Sequence, residues 1–289
     1  AAFLFLLKIS LNLCFVCSSA VENFNFTLLK MSKQPIGIFD SGVGGTSIWK
    51  EIHHLLPNEN TIYLADSKNA PYGLKGKEAI IHLSIKNTEY LLNKNCKLIV
   101  VACNTATTNA IDYLRDTYKV PFIGIEPAIK PAALLTKTNT IGILATKGTL
   151  TSALFSKTSG LFASHKKIIE QVGDGIVEGI ESGKLYSDEM IALLKLYLKP
   201  MIDAHIDYLV LGCTHYPYLI PLLIDLLPKH VKIIDSGEAV ARQTKAVLEK
   251  HNLLNSQKSY PKNIFYTNGK EEVMQSLLGN TFDVEYLDF

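Results

Sequence analysis

Two cysteines stand where a chain can do acid–base chemistry. Cys103 closes the apolar run Leu98–Ala102, and Cys213 closes Leu209–Gly212. Each is followed by polar residues able to open a helix, Asn104-Thr105-Ala106-Thr107 after one and Thr214-His215 after the other. A thiol at such a place meets free backbone N–H groups and the positive end of a helix dipole. A free thiol titrates near ~8.5, so only a few per cent is thiolate at neutral pH. A helix terminus contributes roughly 0.3–1 kcal/mol, rarely ~2, or about 0.2–1.5 pKa units. The dipole alone is too weak, and each thiol needs a neighbour that takes its proton or holds it in place. Asp40 and His215 are the candidates. An anionic Asp40 disfavours a thiolate, so its expected role is orienter, relay or contact for a substrate amine. The structural alternatives are an N-cap for Asp40, a satisfied core histidine for His215, and a buried packing cysteine for either thiol. Cys96 has no polar strand end beside it and reads as structural.

Two further stretches could touch a ligand. Asp40-Ser41-Gly42-Val43-Gly44-Gly45 is a glycine-rich turn between a strand and a helix, a type that offers backbone N–H groups to anions. It is neither Gly-x-Gly-x-x-Gly nor a P-loop, so a nucleotide fits poorly and a carboxylate fits better. Pro71-Tyr72-Gly73 follows Asp66 in a loop and could close over a ligand; its alternative is an ordinary turn.

The elements that position these residues are short buried strands alternating with amphipathic stretches. Ile36–Phe39, Ile62–Ala65, Leu98–Ala102, Phe122–Ile125, Ile141–Ala145, Leu209–Gly212 and Val231–Ile234 read as strands, and Lys77–Asn93 and Asp188–His205 as helices. This alternation predicts an α/β fold of parallel sheets with crossover helices. Within it IGIFDSGVGGTS at 36–47 resembles IGILATKGTLTS at 141–152, and LIVVACNTATT at 98–108 resembles YLVLGCTHYPY at 208–218. Two landmarks repeating at an offset of roughly 105–110 residues indicate an internal duplication. The expected architecture is two pseudo-symmetric lobes, each a mainly parallel sheet flanked by helices, with the active site in the cleft between them. Ligands bind beyond the carboxyl ends of strands in such sheets, where all four motifs sit. The expected division is an extension over 1–33, a first α/β lobe over 34–127 plus 236–289, and a second lobe over 128–235.

The bulk numbers agree with an ordinary globular protein. The chain has 289 residues, 47% of them hydrophobic and 19% charged, with a formal net charge of +2. No Lys/Arg run forms a phosphate-tracking stripe, so nucleic acid is not an expected partner. Five cysteines at irregular spacing do not form a disulfide framework, and Cys14-x-x-Cys17 lacks a second pair or nearby His for a metal site. The first thirty residues are mostly apolar and start with Ala. They read as a signal-like segment or, preferably, as sequence upstream of a start at Met31; Lys8 and Asn12 break the run for a membrane span.

Seven stretches taken together, IFDSGVGG, ADSKNAPYG, VACNTATT, GIEPA, ILATKGT, LGCTHYP and IIDSGEAV, resemble the ordered motif set of the aspartate/glutamate racemase family, and within it the bacterial glutamate racemases. The match runs from about Gln34 to at least Val240. It implies two-base racemisation of glutamate without pyridoxal phosphate, metal or other cofactor. The position of Cys103 handles the α-proton of D-glutamate and that of Cys213 the α-proton of L-glutamate. Matching positions carry over as substrate contacts: Asp40 and Ser41, Tyr72 and Gly73, Asn104 and Thr105, Thr214 and His215. Thr146 and Thr149 fall in a threonine-rich turn that suits the side-chain carboxylate. The family also has an acidic residue before the second cysteine. Here VGDGIVEGIESG offers Glu178 and Glu181, and the distance from Gly183 favours Glu181 as the helper. The resemblance further implies a cytoplasmic homodimer, without a membrane partner, that supplies D-glutamate for peptidoglycan.

Two rival readings remain at this level. Aspartate racemases usually carry Glu after Cys-Thr, whereas this chain reads Cys213-Thr214-His215. A two-lobe solute-binding protein would suit the apolar first residues, but it has no need of paired thiols at strand ends.

Overall fold

The computed structural model describes residues 31–256 and 260–289. Most of the expected 1–33 extension, with Cys14 and Cys17, lies outside the described residues. Ten strands are seen among them: β1 Ile36–Asp40, β2 Thr61–Ala65, β3 Leu98–Val101, β4 Phe122–Gly124, β5 Thr140–Ala145, β6 Lys167–Val172, β7 Tyr208–Gly212, β8 Lys232–Ile234, β9 Asn263–Thr267 and β10 Val284–Tyr286. They form two sheets, one of six strands in the order β10-β9-β2-β1-β3-β4 and one of four in the order β6-β5-β7-β8. Every pairing is parallel. Runs such as IGIFD and TIGILA are buried along their whole length, as a strand covered on both faces must be.

The duplication read from the sequence reappears in the topology. The order β2-β1-β3-β4 matches β6-β5-β7-β8 position for position, with β9 and β10 added at one edge of the larger sheet. Its two landmark strands, β1 and β5, occupy equivalent interior places, and β3 and β7, which lead to the cysteines, occupy equivalent places beside them.

Eleven α-helices accompany the strands: α1 Thr46–Leu55, α2 Lys77–Asn93, α3 Asn104–Thr117, α4 Ile129–Leu135, α5 Lys147–Leu150, α6 Ala153–Ala163, α7 Ile176–Glu181, α8 Asp188–Asp203, α9 Ile220–Leu226, α10 Gly237–Lys250 and α11 Glu271–Leu277. One apolar cluster runs from Ile36 and Phe265 of the larger sheet and Trp49 of α1 to Leu144 and Leu211 of the smaller sheet and Met201 of α8. Each such fully buried side chain contributes about 1.5–3 kcal/mol, so the two sheets are joined by continuous core and not by linkers alone. Among the described residues no helix is long and apolar enough to cross a membrane.

Three strands were not expected: β6, β9 and β10. One expected helix start is also corrected. An α-helix begins directly after Cys103, but the chain after Cys213 bends into a single 3-10 turn, Tyr216–Leu219, and α9 starts only at Ile220. An α-helix opening at Thr214 would need the N–H of residue 217 to reach the carbonyl of Cys213, and residue 217 is proline.

Candidate active site

The two cysteines border one cavity. Cys103 and Ser41 come from the larger sheet's strand ends, and Cys213, Thr214 and His215 from the smaller sheet's. Tyr72 and Gly73 close one wall, and Asn104, Thr105 and Thr146 another. Pro71 and Val177 complete the lining. Asp40, Thr149 and Glu181 stand just behind it, bonded to residues that line it.

The two thiols have different surroundings. Cys103 is the N-cap of α3, and its Sγ accepts the Ala106 N–H at 3.4 Å. The sulfur also lies 3.5 Å from the Ser41 hydroxyl. Burial and then the charge of Asp40 push this thiol well up, and the Ser41 and Ala106 hydrogen bonds offset only part of that. The helix start therefore does not offset burial at Cys103, and the surroundings favour its thiol form. Cys213 instead has a base beside it. Its Sγ is 3.7 Å from Nδ1 of His215, whose Nε2 lies 2.6 Å from Oε1 of Glu181. A carboxylate oxygen only accepts, so Nε2 carries a hydrogen, and Nδ1 is the ring nitrogen placed to take the thiol's proton. The Gly44 N–H, 3.3 Å from the same Nε2, then opposes that N–H and is not bonded to it. Burial pulls His215 down, yet the contacts with Cys213 and Glu181 outweigh it and leave His215 well above the usual range for imidazole.

Asp40 ends β1, fully buried. Burial raises it to about 6, against the lowering pull of His215 and the Gly45 N–H; Glu181 adds a further upward push. Its Oδ2 accepts the Gly45 N–H at 2.7 Å, and Thr214 donates to the carboxylate at 3.3 and 3.4 Å. Asp40 thus pins the turn before α1 and the residue after Cys213 at once.

The glycine-rich turn holds a different carboxylate from the one expected. The Val43 N–H donates to Glu181 Oε1 at 2.7 Å, and the Gly45 N–H is taken by Asp40. Both donors are spent on the chain's own acids. Gly42 and Gly44 leave the space in which the Glu181 carboxylate and the His215 ring lie; a Cβ on either would run into them. Helix α7, which carries Glu181, starts at Gly175 with φ +80, a conformation that glycine adopts freely. Glu178 lies one turn away and, with Asp174 and Lys147, borders an adjoining pocket that shares Pro71, Gly73, Thr146 and Val177 with the cavity.

Thr105, Thr146 and Thr149 form a triangle of hydroxyls at 2.8, 3.1 and 3.3 Å that crosses the cleft. Asn104 is buried, and neither its Oδ1 nor its Nδ2 has a hydrogen-bond partner in the protein. Such a group is costly unless something in the cavity satisfies it. Among the described residues no group of three His, Cys, Asp or Glu side chains is disposed around a metal position.

Two contributors were not singled out in the sequence. Asp66, fully buried at the end of β2, accepts the Tyr72 hydroxyl at 2.6 Å and the amides of Asn69 and Asn268 at 2.9 and 2.6 Å. Ser67 donates to Glu181 Oε2 at 2.7 Å. An aspartate at the carboxyl end of a core strand is a readable signal for Asp66, the same that marks Asp40. Nothing in the order of residues links Ser67 to Glu181.

A family model described as Asp/Glu/Hydantoin racemase matches residues 36–244. The glutamate racemase of Ectopseudomonas mendocina is 45% identical over 251 residues, 86% of this chain and 95% of that protein. That of Herpetosiphon aurantiacus is 45% identical over 79% of this chain and 90% of its own length. Among solved structures, Escherichia coli glutamate racemase in complex with L-glutamate and the activator UDP-MurNAc-ala superposes with a TM-score of 0.79 at 35% identity. That match covers 88% of this chain and 98% of that one. The Francisella tularensis glutamate racemase in complex with D-glutamate gives 0.76 at 29% identity, over 89% and 98%.

Proposed function

The chain belongs to the Asp/Glu/Hydantoin racemase family, and within it we propose that it interconverts L-glutamate and D-glutamate with Cys103 and Cys213 as two acid–base thiols. The observation that supports this reading is the cavity itself, bordered by two buried thiols at equivalent strand ends of matching sheets. Glutamate as the substrate rests on relatives of that name that match over most of both chains.

The step balances without redox change. One sulfur, as thiolate, takes the α-hydrogen as a proton, and the C–H electron pair moves into the α-carboxylate. The other sulfur, as thiol, donates its proton to the opposite face of the same carbon. The unlike surroundings of the thiols suit one direction directly. His215 Nδ1 takes the Cys213 proton, Glu181 stabilises the imidazolium, and Cys103 stands protonated as the donor. By the family resemblance this is the direction from L- to D-glutamate. Asn104, Thr105 and Thr214 offer polar groups to the substrate carboxylates, Ser41, Tyr72 and Gly73 shape the wall, and Asp40 fixes Thr214. Charge that develops on the α-carboxylate needs such preorganised donors in a site that excludes water.

Circular dichroism of L- and of D-glutamate with purified protein and no added cofactor tests the activity; both signals should decay to zero. Cys103→Ala and Cys213→Ala should each abolish the decay. Full activity in either variant overturns the two-thiol reading. The same family membership supports, as further proposals, a cytoplasmic homodimer supplying D-glutamate for peptidoglycan. The distribution of strands supports lobes over 34–127 plus 236–289 and over 128–235.

A further inference from the structure

The cavity between the thiols measures about 10 Å³, room for about one water. A glutamate enters only if the two sides of the cleft part, and the hydrogen bonds that span it are the ones such a parting would break. Glu181 makes the crossing of most consequence. It sits with His215 on the side of the smaller sheet, while two of its three partners, the Val43 N–H and the Ser67 hydroxyl, belong to the larger.

We propose that Ser67 is a positioning residue that, with the Val43 amide, docks the Glu181 carboxylate when the cleft closes, so that the base serving Cys213 is assembled by closure. The proposal rests on the two-thiol reading above and deepens it. A free glutamate side chain samples several rotamers, and its terminal torsion is broad. Here Oε1 receives Val43 and His215, and Oε2 receives Ser67, at 2.6–2.7 Å each. With both oxygens engaged the carboxylate has one orientation, and the His215 ring, bonded to it, is aimed at the Cys213 sulfur. Opening removes both larger-sheet donors and leaves only the histidine contact. Ser67 is itself held from behind. A Cβ at Gly269 would meet the Ser67 Cβ at 2.5 Å, so glycine there lets the hydroxyl reach its place. Ser67 makes no hydrogen bond to Cys103 or its partners Ser41 and Ala106, so the effect falls on one of the two proton transfers.

That one-sidedness is the test. In Ser67→Ala, kcat should fall roughly 10- to 150-fold with KM little changed, the loss expected for one hydrogen bond to a charged group. The primary isotope effect with α-deuterated L-glutamate, which the family resemblance assigns to Cys213, should rise as that transfer becomes limiting. The effect with α-deuterated D-glutamate should fall, because its proton is taken by Cys103. Ser67→Thr, which keeps the hydroxyl, should restore both. Gly269→Ala, which displaces Ser67 without removing it, should reproduce the same pair of shifts. Unchanged kinetics in Ser67→Ala, or equal changes for the two enantiomers, overturn the proposal. Cys213→Ala measured alongside separates the two levels. If it still racemises, the two-thiol reading falls; if it is dead while Ser67→Ala behaves as the parent, only the docking role falls.

Discussion

Nε2 of His215 lies 2.6 Å from Oε1 of Glu181, a residue on a separate helix 34 positions earlier in the chain. This bond keeps a hydrogen on Nε2 and so leaves Nδ1, which faces Cys213, as the nitrogen that can take the thiol's proton. His215→Asn removes the basic ring nitrogen, and kcat should drop about 10²- to 10⁴-fold, the usual range for a lost general base. Glu181→Gln keeps the shape but removes the charge that favours the imidazolium, so a smaller loss, about 10- to 100-fold, is expected. Alkylation of Cys213 by iodoacetamide at pH 7 should slow in parallel with kcat. Alkylation at the parent rate in His215→Asn would show that the histidine does not activate the thiol.

Asp40 should tie stability to pH in an unusual direction. Its folded pKa, about 6, is raised above its ordinary value of 3.8 by burial, while His215 and the Gly45 amide pull it down and Glu181 pushes it up. Between those values the folded chain holds more protons than the unfolded one, so this group's contribution is full below about 3.8 and is lost as pH rises through about 6. Replacing it with Asn removes the charge but keeps an acceptor for Gly45. Asp40→Asn should therefore gain stability on the parent as pH rises from 4 to 7, approaching roughly 3 kcal/mol, while losing activity. Urea unfolding at pH 4 and pH 7.5 measures it; a difference that does not change with pH would contradict a raised Asp40.

Much of this site is legible without coordinates because strand ends announce themselves. Apolar β-branched runs such as LIVV and IGIFD need burial on both faces, and the polar residues that end them can only face the cleft. Strand β6, KIIEQV, escapes because it is only partly covered and reads as a charged loop. The short β9 and β10 complete a sheet edge, where few residues have to be apolar. The destination of the turn's N–H groups was also out of reach. Val43 and Glu181 lie 138 residues apart, and local sequence shows only that the turn can hold a carboxylate, not that the chain supplies one.

The glycines of that turn should be intolerant for a reason of space and not of backbone. Neither Gly42 nor Gly44 has a positive φ, so alanine fits the backbone, but its methyl would meet Glu181 in one case and His215 in the other. Gly42→Ala and Gly44→Ala should each cut kcat at least about 10-fold while costing about 1–3 kcal/mol of stability, as overpacking does. Thermal unfolding beside the racemisation rate distinguishes this from general unfolding. A well-folded Gly44→Ala with full activity would mean that the ring position is not needed.

Far from the cleft, Lys97 should prove the most sensitive charged residue for folding. It is fully buried, pairs with Glu59, and donates to the carbonyls of Ser32 and Leu253, the latter at 2.9 Å. Glu59 in turn accepts the Asn255 N–H at 2.7 Å. The pair thereby ties the chain leading into β1 and the segment after α10 to the start of β3. Burial lowers the Lys97 pKa and Glu59 raises it back in part, so the ammonium depends on its partner. Lys97→Met leaves a buried carboxylate without its counter-charge and should cost about 3–5 kcal/mol. A double change, Lys97→Met with Glu59→Leu, removes both charges, and a well-packed apolar replacement of a buried pair is often close to neutral. The double variant should thus recover part of the loss, held short of the parent by the hydrogen bonds that the Asn255 N–H loses to Glu59 and the Ser32 and Leu253 carbonyls lose to Lys97. Guanidinium unfolding of the parent and the three variants forms the cycle. If Lys97→Met alone costs less than about 1 kcal/mol, water reaches the site and the pair is not a buried tie.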